Sequence, residues 1–333
     1  MRRRRLLPIL LAGGVMAVAL CSLAGVRQAA RADVAPMPAL KPGAPRYGLS
    51  TVGLSYPFAA AIAKGFAEAA AAAGAGAIIL DAKGDVQKQT NDVDDLIAQK
   101  VDGIALMPLD SVVAEGIVAR AGRGHVPIAA VAALVGDPAK RRVEDVYPGL
   151  VALASQDEVT AGRAAGTLAA TMLPADRPAR IAVIEGASGF PEVEQRARGF
   201  REGLAAAGAR YRIVASQPGN WTAEGGERAC QNILAAQPGT DLFYNEADDM
   251  VIGCARAVRA AGSRARLIGT GGSKLAIASI KAGAVDGTVC FKPEALGAQV
   301  FAALHRPGEG ARFRTYPMPA VTRATVDRCV GQW

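Results

Sequence analysis

Chemistry at a protein site needs a nucleophile beside a base, a matched acid and base, or a set of metal ligands. The 333-residue sequence is poor in all three. Its two histidines stand in ordinary contexts, His125 before an apolar run and His305 at the end of a helical one. No Ser/His/Asp spacing, HExxH pair or GxxxxGK[ST] phosphate loop occurs. Carboxylates are spread along helical stretches, where they read as solvated faces rather than as an acid/base pair. The cysteines form no CxxC, and only two histidines could join them, so a metal centre is not expected. The sequence therefore predicts no catalysis, no metal and no cofactor, and the question becomes what its loops could bind.

Loops are placed by the elements that they join, and residues 78–111 contain a full set. Ile78 to Leu80 is an apolar run that stops in the polar, Gly-containing loop 81–85. A helix follows with Val93, Leu96 and Ile97 on one face, then Gly103 to Met107, apolar throughout, as a strand covered on both sides. Strands joined through a helix run parallel, and ligands of open parallel sheets lie beyond the strands' carboxyl ends. Loops 81–85 and 107–111 therefore share a rim. The alternation continues with strands over 47–54 and 126–131, Ala-rich helices over 59–73 and 112–122, and a charged surface excursion over 137–147. It restarts at Val151 and runs through strands at 181–184, 212–215, 241–244 and 267–269, with helices over 159–172, 192–207 and 223–236. A further strand over 287–291, a helix over 293–304 and a Pro-spaced segment through 321 end the pattern. The expected fold class is α/β, with two doubly wound parallel-sheet lobes.

The first 45 residues stand apart. Arg2 to Arg5, an apolar run over 6–20 and Ala30-Arg31-Ala32 have the form of a cleavable signal peptide, with cleavage expected after Ala32. A retained anchor, a lipid-linked Cys21 and a twin-arginine signal are the alternatives. Residues 33–45, with Pro36, Pro38, Pro42 and Pro45, form a linker. Loss of 1–32 takes the net charge from +8 to +2, which leaves no basic surface for nucleic acid. Cys230, Cys254, Cys290 and Cys329 remain, an even number that suits one or two disulfides in an oxidising compartment. The pairing stays open among three possibilities.

The run DAKGDVQKQTNDVDDLIAQKVDGIALMPLDS, residues 81–111, resembles the type I periplasmic solute-binding proteins of sugar ABC transporters, the ribose-binding-protein-like family. The likeness extends over nearly the whole chain from about residue 46. It implies two lobes joined by a three-segment hinge, an N-terminal lobe of 46–155 plus 292–321 and a C-terminal lobe of 156–291 plus 322–333. It also implies a periplasmic, monomeric protein that closes on a small-molecule ligand, a sugar or sugar-like solute, and delivers it to an ABC permease in the inner membrane. A ligand sensor that feeds a membrane histidine kinase shares this plan, and genomic neighbours separate the two. A sugar-responsive repressor would need a DNA-binding segment where this chain has its leader.

Carried over by position, the resemblance implies ligand contacts from Arg196 in EQRARGF, from Phe58 after Tyr56-Pro57, and from Trp221. The rims add Met107, Asp110 and Glu246. Six polar residues of the family's pattern, two of them an adjacent pair, differ here. Ala132-Ala133 stands for an Asp-Arg pair, Ala247 and Tyr56 for asparagines, Gly271 for an aspartate and Phe291 for a glutamine. Each hydroxyl buried without its partner costs about 1–3 kcal/mol. The substitutions therefore predict a flatter, less hydroxylated ligand, with Arg196 free to take a carboxylate or another acceptor.

Overall fold

The computed structural model describes residues 41–333. The expected signal peptide, Cys21 and most of the linker lie outside the described residues. The first lobe is built from β1 (Arg46–Thr51), α1 (Pro57–Ala72), β2 (Gly76–Asp81), α2 (Val86–Ala98), β3 (Gly103–Leu106), α3 (Val113–Arg123), β4 (Ile128–Val131) and β5 (Leu153–Ala154). The second is built from α4 (Glu158–Ala170), β6 (Ala179–Glu185), α5 (Pro191–Ala206), β7 (Tyr211–Pro218), α6 (Ala223–Ala236), β8 (Leu242–Asn245), α7 (Asp248–Ala260), β9 (Arg266–Gly271), α8 (Lys274–Ala282) and β10 (Gly287–Cys290). The chain ends through α9 (Pro293–His305), β11 (Phe313–Arg314) and β12 (Ala320–Thr322).

The two sheets have the same plan. Their orders are β2-β1-β3-β4-β5-β11 and β7-β6-β8-β9-β10-β12, all parallel except for β12, which runs antiparallel to β10. Five parallel strands ordered 2-1-3-4-5 leave a crevice at their carboxyl ends, where the strand order reverses. β3 and β4 are buried at every residue, as their unbroken apolar runs require. The chain crosses between lobes three times, after β5, after β10 and between β11 and β12.

Three features differ from the expected pattern. β12 lies in the second sheet, so the third crossing falls between Arg314 and Ala320 and not at 321/322. α8 was not legible, because it is a nine-residue helix whose Leu275 faces solvent, too short for a periodic stripe to stand out. β7 extends through Gln217-Pro218, residues that read as a loop; a proline is tolerated there because β7 is an edge strand.

Helices α4 and α5 pack with their backbones nearly touching. A Cβ on Gly162 would collide with the Arg196 carbonyl oxygen, and one on Gly199 with the Val159 carbonyl oxygen. This close approach sets Glu158, at the start of α4, beside Arg196 on α5. Gly199→Ala is expected to cost about 1–3 kcal/mol by forcing the helices apart, read as a lower melting temperature than that of Gly116→Ala in α3, where an added methyl meets nothing within 4 Å. Equal losses would show that the crossing tolerates the methyl.

The structure pairs Cys230 with Cys254, joining α6 to α7, and Cys290 with Cys329, joining the end of β10 to the last turn of the chain. The Cα–Cα separations are 5.3 and 5.8 Å, within disulfide range.

Candidate functional site

The carboxyl ends of both sheets meet across a cavity of about 120 Å³. Two of the helices that begin on it start in the same way. Pro57 opens α1 and Pro191 opens α5, which fixes the preceding Tyr56 and Phe190 in extended conformation and sets their rings at the cavity. Tyr56 stands at the mouth, 37% exposed. Phe58, two residues on, meets Phe291 edge-on at 6.2 Å and Trp333 at 5.6 Å. Phe291 is buried directly after β10. Met107 and Ala132-Ala133 follow β3 and β4 on the first lobe's side, and Ala247 and Gly271 face them from the second.

Trp221 is held in an unusual backbone state. It and Asn220 have φ of +60° and +53°, two consecutive left-handed residues that are not glycine. The turn lays the indole over Gly186, where a Cβ would collide with the ring, and against Phe190 at 6.2 Å.

Arg196 is buried between Trp221 and Phe291, with its guanidinium carbon 5.4 and 5.2 Å from the two ring centres. Its Nε and Nη2 donate to the two Glu158 carboxylate oxygens at 2.6 and 2.9 Å, and Nη1 donates to the Glu246 carbonyl oxygen at 2.7 Å. The expectation of a free arginine is corrected here: its fork is filled by Glu158. Burial alone would lower the guanidinium's proton affinity, but Glu158 beside it more than offsets that and raises it.

Carboxylates outnumber this one neutralised cation. Glu192 is pushed up to about 7, first by enclosure and then by Glu158, with Arg196 partly opposing. Asp248 is raised to about 6 by burial, even though Thr288 Oγ1 and the Ser273 N–H donate to it at 2.7 Å each. Burial also raises Asp249. All three line the cavity with Arg196 and Glu158. Such a site offers acceptors to hydroxyl groups between apolar ring faces, and among the described residues that line it no cation other than the paired Arg196 is present.

Eight of the ten residues expected at the site border this cavity, and Asp110 and Glu246 do not. Asp110 Oδ1 accepts from the N–H groups of Val112 and Val113 at 2.8 and 2.9 Å, so it tethers the start of α3. Glu246 is fully buried behind the wall, where one carboxyl oxygen accepts from the Gly186 N–H at 2.9 Å. Sequence reasoning missed Gln156, Glu158, Glu192 and Trp333. Gln156 and Glu158 sit on the first crossing, in a run that read only as a helix start. The one available signal was that a polar Ser-Gln-Asp-Glu run follows an apolar strand at a lobe boundary.

Residues 47–310 match the family model described as "Periplasmic binding protein domain". The ribose import binding protein RbsB of Bacillus subtilis (strain 168) is 31% identical over 251 residues, 75% of this chain and 77% of that protein. The D-allose-binding periplasmic protein of Escherichia coli (strain K12) is 29% identical over 260 residues, 77% of this chain and 82% of that one. Among solved structures, the Caulobacter myo-inositol binding protein bound to myo-inositol superposes with a TM-score of 0.75 at 26% identity, covering 85% of this chain and 95% of that one. These relatives are solute-binding proteins and not enzymes. With two matching sheets, three crossings and a cavity between facing rims, the chain belongs to the type I periplasmic binding proteins, in the ribose-binding-protein-like family.

Proposed function

We propose that this chain is the periplasmic substrate-binding component of an ABC importer, that it captures a neutral, ring-shaped polyol between its lobes, and that it hands the closed complex to a membrane permease. The observation that carries the ligand class is the pairing of Arg196 with Glu158 in a cavity whose remaining charged groups are acidic. A carboxylate ligand would meet that excess of acid without a free cation to offset it. A polyol instead donates its hydroxyls to Glu192 and Asp249 and lays its apolar ring faces on Phe58 and Trp221. The relatives support the same class, since their names specify ribose, allose and myo-inositol. Three crossings between two separately cored lobes give the hinge for closure. A cleavable leader over residues 1–32 delivers the protein to the periplasm.

Titration calorimetry of the leaderless protein with D-ribose, D-allose, myo-inositol and benzoate tests this reading. At least one of the three polyols is expected to bind with a micromolar or tighter Kd, about −8 kcal/mol or better, and benzoate is expected not to bind. Binding of benzoate alone, or of none of the four, would sink it.

A further inference from the structure

The last segment of the sequence belongs to neither sheet, yet it reaches the cavity. Cys329 is joined to Cys290 at the end of β10, and the two residues that follow Gly331 bridge the lobes. Gln332 Oε1 accepts from the Glu294 N–H at 2.9 Å, at the start of α9, which packs on α1 in the first lobe. The Trp333 main-chain oxygen accepts from the Lys274 N–H at 2.8 Å, at the start of α8 in the second. The segment thus satisfies amide donors at the amino ends of two helices, groups that have no partner within their own helix.

The indole of Trp333 stands between Phe58 and Gly271. It meets the phenylalanine edge-on at 5.6 Å, and a Cβ at Gly271 would lie 3.0 Å from its Cζ2. Gly271 has φ of +147°, so the place where a side chain would project from the end of β9 is taken by the ring. The indole Nε1 is buried and has no acceptor among the described residues. A donor left so costs about 1–3 kcal/mol unless a water or a ligand oxygen reaches it.

We propose that Trp333 is a ligand-contacting residue of the cavity and that the Cys290–Cys329 disulfide is the device that positions it there. The proposal rests on the importer reading for its ligand, a polyol, and not for its geometry. The chain holds only two tryptophans, Trp221 and Trp333, and both line the cavity, so in a Trp221→Phe background all indole emission reports on Trp333.

Two measurements on the leaderless protein test it. In the Trp221→Phe background, a Cys290→Ser/Cys329→Ser pair is expected to shift the emission to the red and raise quenching by acrylamide, and a Cys230→Ser/Cys254→Ser pair is expected to change neither. For whichever of D-ribose, D-allose and myo-inositol the wild type binds, Trp333→Ala is expected to weaken affinity by about tenfold or more, with Trp333→Phe recovering part of the loss. The Cys290/Cys329 variant is expected to fall with Trp333→Ala, and the Cys230/Cys254 variant to bind as the wild type does. Unchanged affinity in Trp333→Ala, or unchanged emission without the Cys290–Cys329 link, overturns the proposal. A wild type that binds none of the three polyols overturns the importer reading and the ligand contact with it, and the emission measurement still decides the positioning.

Discussion

Replacing Arg196 with methionine is expected to lower the unfolding free energy by about 3–5 kcal/mol, because it leaves the Glu158 carboxylate buried without its partner. Both side chains of the pair are less than a tenth exposed, so solvent cannot substitute for the lost guanidinium. The double change Glu158→Met/Arg196→Met is expected to recover most of that stability, since two apolar side chains of similar length remove the uncompensated charge. It is not expected to recover ligand binding. The pair fixes a cation between Trp221 and Phe291 and ties α5 to the loop after β8 through the Glu246 carbonyl oxygen, and methionine restores neither. Urea unfolding together with calorimetry on the two variants separates these effects. A single variant as stable as the wild type would show that Glu158 finds another partner or water instead.

Stability is expected to fall as pH rises from about 5 to about 8, the reverse of ordinary acid denaturation. Glu246, Glu192 and Asp248 hold their protons in the folded protein up to about 8, 7 and 6, above the ordinary carboxyl range of the unfolded chain. Between the unfolded and the folded value the folded state binds more protons than the unfolded one. Each such group then subtracts up to about 1.4 kcal/mol per pH unit from stability. Its favourable contribution is complete below the unfolded value and is gone above the folded one. Glu246 has the widest window: burial raises it, the Gly186 N–H and Arg196 partly oppose, and Glu185 and Glu158 add to the rise. Glu246→Gln keeps an acceptor for the Gly186 N–H and removes the titration. The variant is therefore expected to be more stable than the wild type at pH 8, close to it at pH 5, and to show a flatter melting profile between them. A wild-type profile that is flat over this range, or parallel profiles for the two proteins, would remove Glu246 as the cause.

The fold was largely legible because its signals are local. Unbroken apolar runs such as 103–107 and 126–131 cannot face water on either side, and stripes such as Val93, Leu96 and Ile97 fit only a helix laid on a sheet. Boundaries blurred where local signals conflict with edge positions, as at Gln217-Pro218, or where an element is too short for a period to show, as in α8. At the site, strand ends showed where the rim lies, and the family resemblance showed which residues stand on it. Met107 stands directly after a strand, whereas Tyr56, Phe58, Arg196, Trp221, Ala247, Gly271 and Phe291 were placed by the resemblance, and all eight border the cavity.

By itself the sequence determined two lobes of alternating strands and helices, the rim that carries the binding loops, and the absence of any motif for catalysis. Only the tertiary structure decided what each polar group at that rim does. Glu158 and Arg196 are 38 residues apart, and nothing in either neighbourhood reveals that two glycine-lined helices press them into an ion pair. Asp110 and Glu246 lie on rim loops in the sequence, but backbone amides hold one carboxyl oxygen of each, and neither side chain borders the cavity. Trp333, the farthest of all from the strand ends that mark the site, enters it through a disulfide whose pairing four cysteines left open. Elements follow from the order of neighbouring residues, while a side chain's charge state and partner follow from whatever the fold brings within 3 Å of it.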